Sequence, residues 1–251
     1  MVILIIIFGQ RVGLLLLVLT ATAFGLREFY RLTLPDTGSR EKTVGIALGL
    51  SFPVVAHFSQ GRELIALLVA ALFVVFVLFL ARPKRLKTVP SHMAILLFGI
   101  LYVAFLLSHT ILLRKEPLGV QWIFFLLMTV WAGDTSAYFV GKAIGKHKLY
   151  PAMSPKKTVE GLLGGLAGSM SVAALLRTLF LRDFPWHHTL ILASAILILG
   201  QTGDLGESMI KRAVNVKDSS GLIPGHGGVL DRLDSLLFAA PFLYYYILSV
   251  S

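Results

Sequence analysis

Long apolar runs alternate with short polar connections along the whole chain. The runs fall near residues 1–8, 12–30, 44–60, 63–81, 92–113, 120–140, 159–181, 188–206 and 235–250. A helix needs about 20 apolar residues to cross a bilayer, within a range of about 17–25. Eight of the runs reach or approach that length; the first, MVILIIIF, is too short. In lipid every backbone polar group must be satisfied within the segment, so runs of this kind predict helices. The pattern therefore predicts an all-α protein, a polytopic transmembrane helical bundle with eight or nine membrane segments. The opening run lacks the basic region and cleavage site of a signal peptide and reads as a shortened or half-inserted first helix. Pro241 inside the last run predicts a kink that would help to shape a pocket.

Composition agrees with the periodicity. Hydrophobic residues make up 56% of the 251 positions and charged residues 14%, and mean hydropathy is +0.81. Soluble domains carry about a quarter charged residues, so no separate soluble domain is expected. The net charge of +10 would hint at nucleic acid in a soluble chain. Here it fits cytoplasmic loops and anionic lipid, and no nucleic-acid partner is expected. The absence of cysteine excludes disulfides and thiolate metal sites. Segments 31–43, 82–91, 141–158 and 207–234 hold 16 of the 23 lysines and arginines. By the positive-inside rule these face the cytosol and the C-terminus lies outside. The expected location is the inner or plasma membrane, with the active site on the cytoplasmic side.

Chemistry is unevenly spread. Residues 1–113 read as scaffold helices serving lipid access or dimer contacts, and 114–251 as the catalytic region with its motif loops. In the first part, Arg27, Glu28 and Arg31 of REFYRL read as interfacial anchors beside Phe29 and Tyr30. His57, His92 and His109 stand alone, with no partner at metal-ligand spacing.

In the second part, Asp134 of WAGDTSAYF lies within an apolar segment, where an acid is costly and points to function. Ser154 and Pro155 of SPKKTVEG read as an N-cap and first helical position. That would place Lys156, Lys157 and Thr158 in a first turn, where the lysines suit a bound phosphate. Glu160 is expected to pair with Lys156 or to orient a substrate group. Farther on, Asp204, Glu207, Ser208 and Lys211 share one helix face through i+3 and i+4 steps. Glu207 and Lys211 make a favourable i, i+4 pair, while Asp204 has no local cation and is the better metal candidate.

The stretch 203–235 holds five of the thirteen acidic residues: Asp204, Glu207, Asp218, Asp231 and Asp234. Its cations are Lys211, Arg212, Lys217 and Arg232. Mg²⁺ prefers one or two carboxylates with water and phosphate oxygens, and the cations would neutralise remaining phosphate charge. Gly225, Gly227 and Gly228 would let backbone N–H groups approach those oxygens.

This stretch resembles the phosphatidate cytidylyltransferase (CDP-diacylglycerol synthase) family. The resemblance rests on Ser208, Lys211-Arg212, Lys217-Asp218, Pro224, His226-Gly227-Gly228, Asp231-Arg232 and Asp234. WAGDTSAY (131–138) and SPKKTVEG (154–161) also look like motifs of that family; its members usually have a full first helix, which MVILIIIF is not.

The resemblance implies transfer of a cytidylyl group from CTP to phosphatidic acid, giving CDP-diacylglycerol and pyrophosphate. It implies Mg²⁺ held by Asp204 and Asp231, with Asp234 and Glu207 in support, and a second cation such as K⁺ or another Mg²⁺. Catalysis would involve Asp204, Asp231, Lys211 and Asp234. Substrate would be bound by Asp134, Ser154, Lys156, Lys157, Thr158, Glu160, Glu207, Ser208, Arg212, Lys217, Asp218, His226, Gly227, Gly228 and Arg232. Membrane lipid and a second copy of the chain, as a homodimer, are the further partners implied. A CDP-archaeol synthase or a CTP-dependent polyprenol or phytol kinase would share the setting. A secondary transporter could also carry Asp134 and Asp204 in the bilayer.

Overall fold

The computed structural model describes residues 2–35, 37–81, 86–221 and 227–250. Its elements are α1 (Val2–Phe8), α2 (Gln10–Thr33), α3 (Ser39–Phe58), α4 (Glu63–Leu80), α5 (Val89–Gly99) and α6 (Leu106–Lys115), followed by α7 (Gly119–Ile144). A two-stranded hairpin follows, β1 (Lys148–Tyr150) and β2 (Ser154–Thr158), and then α8 (Val159–Phe180), α9 (Trp186–Ala213) and α10 (Leu230–Val250). The 3₁₀ turn Leu86–Thr88, α5, the π-helical segment Ile100–Phe105 and α6 form one continuous 30-residue rod. The helical polytopic class is thus as expected, with the hairpin as a small addition.

Among the described residues seven helices are long and apolar enough to cross a membrane: α2, α4, the α5–α6 rod, α7, α8, α9 and α10. Of the eight or nine segments expected, these seven are candidates by length and composition. The run at 1–8 forms only the seven-residue α1, and α3 opens with Arg40, Glu41 and Lys42, which dilute its hydropathy.

The chain divides into two compact units, Met1–Lys115 with Val214–Leu233, and Glu116–Ala213 with Asp234–Ser251. The polar loop after α9 therefore belongs to the compact unit of the N-terminal helices. In that unit Leu26, Phe29, Tyr30, Phe52, Leu96 and Ile100 are fully buried, and the Tyr30 hydroxyl donates to the Leu96 carbonyl at 2.7 Å. The Lys115 ammonium bonds the Ala56 and Ser59 carbonyls, satisfying the end of α3. His109 is buried, with Nδ1 at 2.9 Å from the Phe105 carbonyl oxygen, a packing role as its isolation suggested. α4 by contrast exposes Ile65, Phe73, Phe76 and Val77, a surface that suits lipid tails.

In the second unit α7 and α8 pack closely along small residues. Ser169 of α8 donates to the Thr129 carbonyl of α7 at 3.0 Å. α9 approaches the start of α10 closely at one point: a Cβ on Gly203 would overlap the Asp234 carbonyl. That approach sets Asp234 beside the polar face of α9.

Candidate active site

The second unit gathers acids from three helices around one strand lysine. On α9, Gln201, Asp204, Glu207, Ser208 and Lys211 follow one another at helical spacing. Asp134 of α7 accepts a hydrogen bond from Gln201 Nε2 at 3.0 Å. Ser208 Oγ lies 3.4 Å from Asp204 Oδ1. β2 brings Lys157 Nζ to 2.8 Å from Asp204 Oδ2. Asp204, which has no cation nearby in sequence, thus has one from a distant part of the chain. Asp234 lies in electrostatic range of Asp204 and Asp134. Glu207 is fully buried and pairs with Lys211 at 3.3 Å, the i, i+4 pair its spacing indicates. Three carboxyl groups and one ammonium gather here, a set of hard oxygen donors that suits a cation.

The hairpin changes how the lysines reach this site. Ser154 is not an N-cap and Pro155 is not the first residue of a helix. Proline disfavours helical backbone at the residue before it, and Ser154 pairs with Tyr150 across the hairpin. The cap is Thr158, whose Oγ1 accepts from Gly161 N at 3.1 Å. Thr158 is buried in that structural role. Lys156 and Lys157 are therefore strand neighbours facing opposite sides. Lys156 is exposed, and Lys157 turns towards Asp204. Glu160 does not pair with Lys156: it holds His147 Nδ1 at 2.6 Å and accepts from the Lys146 and His147 amides, tying α8 to the start of the hairpin.

The loop after α9 is organised around two other carboxylates, both in the first unit. Asp231 Oδ2 accepts from the Ser219 amide at 2.9 Å, the Ser219 hydroxyl at 2.8 Å and the Gly228 amide at 2.7 Å. The Gly228 N–H, expected to cradle phosphate, is thus committed to a carboxylate. Gly227 takes a positive φ of 77° to make this turn. Sequence reasoning missed the other carboxylate, Glu28 of α2, which is 4% exposed. It accepts from the Ser220 hydroxyl at 2.5 Å and, 3.0 Å from the Ser219 hydroxyl, shares that single proton with Asp231. It also accepts from the Val229 and Leu230 amides at 3.1 and 2.8 Å, capping the start of α10. A Cβ on Gly228 would overlap the Ser219 hydroxyl and crowd Glu28. Lys217, Asp218, Arg212 and Arg232 are exposed. His226, with Pro224 and Gly225, lies outside the described residues.

A family model described as the cytidylyltransferase family matches residues 1–250. The chain belongs to the cytidylyltransferase family. The phosphatidate cytidylyltransferase of Bacillus subtilis (strain 168) is 41% identical over 146 residues, covering 58% of this chain and 54% of the relative. That of Staphylococcus haemolyticus (strain JCSC1435) is 43% identical over 152 residues, 60% of this chain and 57% of the relative. That of Staphylococcus aureus (strain COL) is 46% identical over 127 residues, 50% of this chain and 48% of the relative. The chain spans about half the length of the curated relatives it matches.

Cytidylyltransferase chemistry brings Mg²⁺ into question. Among the described residues no group of three acidic or histidine side chains forms a complete cage for a metal ion. Mg²⁺ does not require one, since it keeps several waters and takes substrate phosphate oxygens. Asp204, with Asp134 and Asp234 in electrostatic range, offers the hard oxygen donors that such an ion fits.

Proposed function

We propose that this member of the cytidylyltransferase family is a phosphatidate cytidylyltransferase. It would convert CTP and phosphatidic acid to CDP-diacylglycerol and pyrophosphate at the cytoplasmic membrane face. The observation that carries this reading is the set of Asp134, Asp204 and Asp234 around Lys157, built on the segments that hold the family's polar motifs.

In the proposed reaction an ionised phosphate oxygen of the lipid attacks the α-phosphorus of CTP. The new P–O–P bond forms as the bond from the α-phosphorus to the bridging oxygen breaks, and pyrophosphate leaves with that electron pair. No general base is needed, because the attacking phosphate is already an anion. The enzyme's work is charge neutralisation and alignment of two anions. Lys157, held 2.8 Å from Asp204, presents an ammonium where phosphate oxygens would lie beside the acids. Lys156, exposed on the other side of the strand, and Arg212 would contact outer phosphate oxygens. Gln201 holds Asp134 in one orientation. Lys211 balances Glu207, so Glu207 supports the site from within the protein. Mg²⁺ would be held by Asp204 with Asp134 or Asp234, and would act as a Lewis acid on the phosphoryl oxygens. Asp231, the other ligand that the family resemblance implies, has a positioning role in this reading, since its Oδ2 is taken up by Ser219 and Gly228 in the loop.

Two finer proposals accompany this one. α3 is an eighth membrane segment, because only then do the four lysine- and arginine-rich connections lie on one side. A homodimer is the assembly implied by the family resemblance. The deciding experiment for function is pyrophosphate release from CTP by purified, reconstituted protein. Release that requires both Mg²⁺ and phosphatidic acid is expected. Release indifferent to the lipid, or none from folded protein, overturns the proposal.

A further inference from the structure

Two adjoining cavities open at the polar end of α2, within the first compact unit. The larger, about 880 Å³, is lined by Arg31, Lys217, Ser219 and Ser220 among others. The smaller, about 370 Å³, is lined by Phe24, Arg27, Glu28, Arg31, Ser220 and Gly221. Arg31, Ser220 and Gly221 belong to both, so the two are lobes of one pocket. Arg27 and Arg31 are one helical turn apart on the same face. Among the described residues neither they nor Lys217 have an ion-pair partner.

The acids of the pocket do not cancel these cations. Glu28 is turned onto two serine hydroxyls and two amides of the loop, which fixes the wall rather than neutralising an arginine. Asp218 is exposed and is the other acid of the lining. The negative end of the α2 dipole accounts for Arg31 in the last turn. It does not account for Lys217, which the distant loop carries to the same cavity. The smaller lobe also reaches Phe24, seven residues back along α2, or roughly 10 Å towards the middle of that span. A basic end and an apolar end, arranged along a membrane helix, fit an amphiphile with a phosphate head.

We propose that Arg27, Arg31 and Lys217 form a binding site for a phosphate monoester, with the acyl-bearing part of a phospholipid lying past Phe24. Guanidinium groups suit this because they bind phosphate bidentately. The site stands whether or not the chain turns over CTP, so its test is equilibrium binding without nucleotide. Protein in detergent would be titrated with short-chain phosphatidic acid, and in parallel with glycerol 3-phosphate and short-chain phosphatidylcholine. Wild-type protein is expected to bind phosphatidic acid at least tenfold more tightly than Arg27→Gln/Arg31→Gln. Arg27→Lys/Arg31→Lys, which keeps the charge and the topology signal, should recover part of the loss. Tight binding of phosphatidic acid with weak binding of glycerol 3-phosphate assigns a lipid ligand. Equal binding of the two supports phosphate recognition from a soluble source and removes the role of Phe24. Equal affinity of wild type and both double variants for phosphatidic acid, or equal binding of phosphatidylcholine, overturns the site. If the glutamine pair does not fold, Lys217→Gln carries the same comparison.

Discussion

A carboxylate at the edge of a bilayer survives only with a compensating partner, and partners separate the acids of this chain into two kinds. Glu28, Asp231 and Glu160 are filled by amides, hydroxyls and a histidine of their own surroundings. Asp204 instead meets a lysine from β2, whose ammonium can be shared with a substrate phosphate. Lys157→Ala should therefore weaken CTP use more than Lys156→Ala. Loss of one charged hydrogen bond costs about 1.5–3 kcal/mol, or roughly tenfold to a hundredfold in rate or affinity. Steady-state kinetics with CTP varied make the comparison, and equal effects would argue against separate roles for the two faces of β2. Asp204→Asn keeps size and hydrogen bonding but removes charge, so turnover should nearly vanish and Mg²⁺ dependence weaken. Asp231→Asn should lose turnover as well. Glu207→Gln should be milder, because Lys211 already gives Glu207 a structural partner. The Glu207–Lys211 pair was legible from spacing alone. Lys157–Asp204 was not, because residues far apart in sequence are joined only by the hairpin and the packing of α8 on α9. Glu28 was hidden for another reason: an acid between two arginines and two aromatics has the composition of an interfacial anchor.

At the scale of elements, hydrophobic periodicity located the long helices well, and local polar chemistry decided their ends. Ser-Pro carries a helix-start signal at 154, but Thr158 competes with it four residues later. The later residue wins because the hairpin pairs Lys148 with Thr158 and Tyr150 with Ser154, keeping the intervening backbone extended. Thr158→Ala removes the cap of α8 and should cost about 1 kcal/mol of stability, read by unfolding in detergent. Thr158→Ser should restore most of it; equal stability of the three proteins would deny the cap. Glu28 makes a stronger case of the same kind. Its carboxylate meets four donors from the loop and from the start of α10. Glu28→Gln leaves one acceptor oxygen and adds an N–H beside those donors. A buried donor left unpaired costs about 1–3 kcal/mol. Amide hydrogen exchange should accelerate at Ser219, Ser220, Val229 and Leu230 in this variant, with α4 and α8 unchanged.

For the whole molecule the open property is sidedness, and here α3 is decisive. Its 20 residues suffice to cross a bilayer, yet Arg40, Glu41 and Lys42 in its first turn lower its hydropathy below that of the seven other candidates. If α3 crosses, segments 31–43, 82–91, 141–158 and 207–234 all face one side, and that side holds most of the lysines and arginines. If α3 stays in one interface, 31–43 falls on the side opposite the other three segments, and the charge rule is broken at that segment. The chain has no cysteine, so single cysteines can be introduced without background. Ser39, Lys87 and Asn215 are exposed in connections assigned to the cytosol; Ser219 is unsuited, being 3% exposed and bonded to Glu28 and Asp231. Cysteines at those three positions should react with an impermeant maleimide only from the cytosolic side, and one at Glu116 only from the outside. Labelling of positions 39 and 87 from opposite sides would remove α3 from the spans. Labelling of 87 and 116 from the same side would reject the span of the α5–α6 rod and the placement of the motif loops with it.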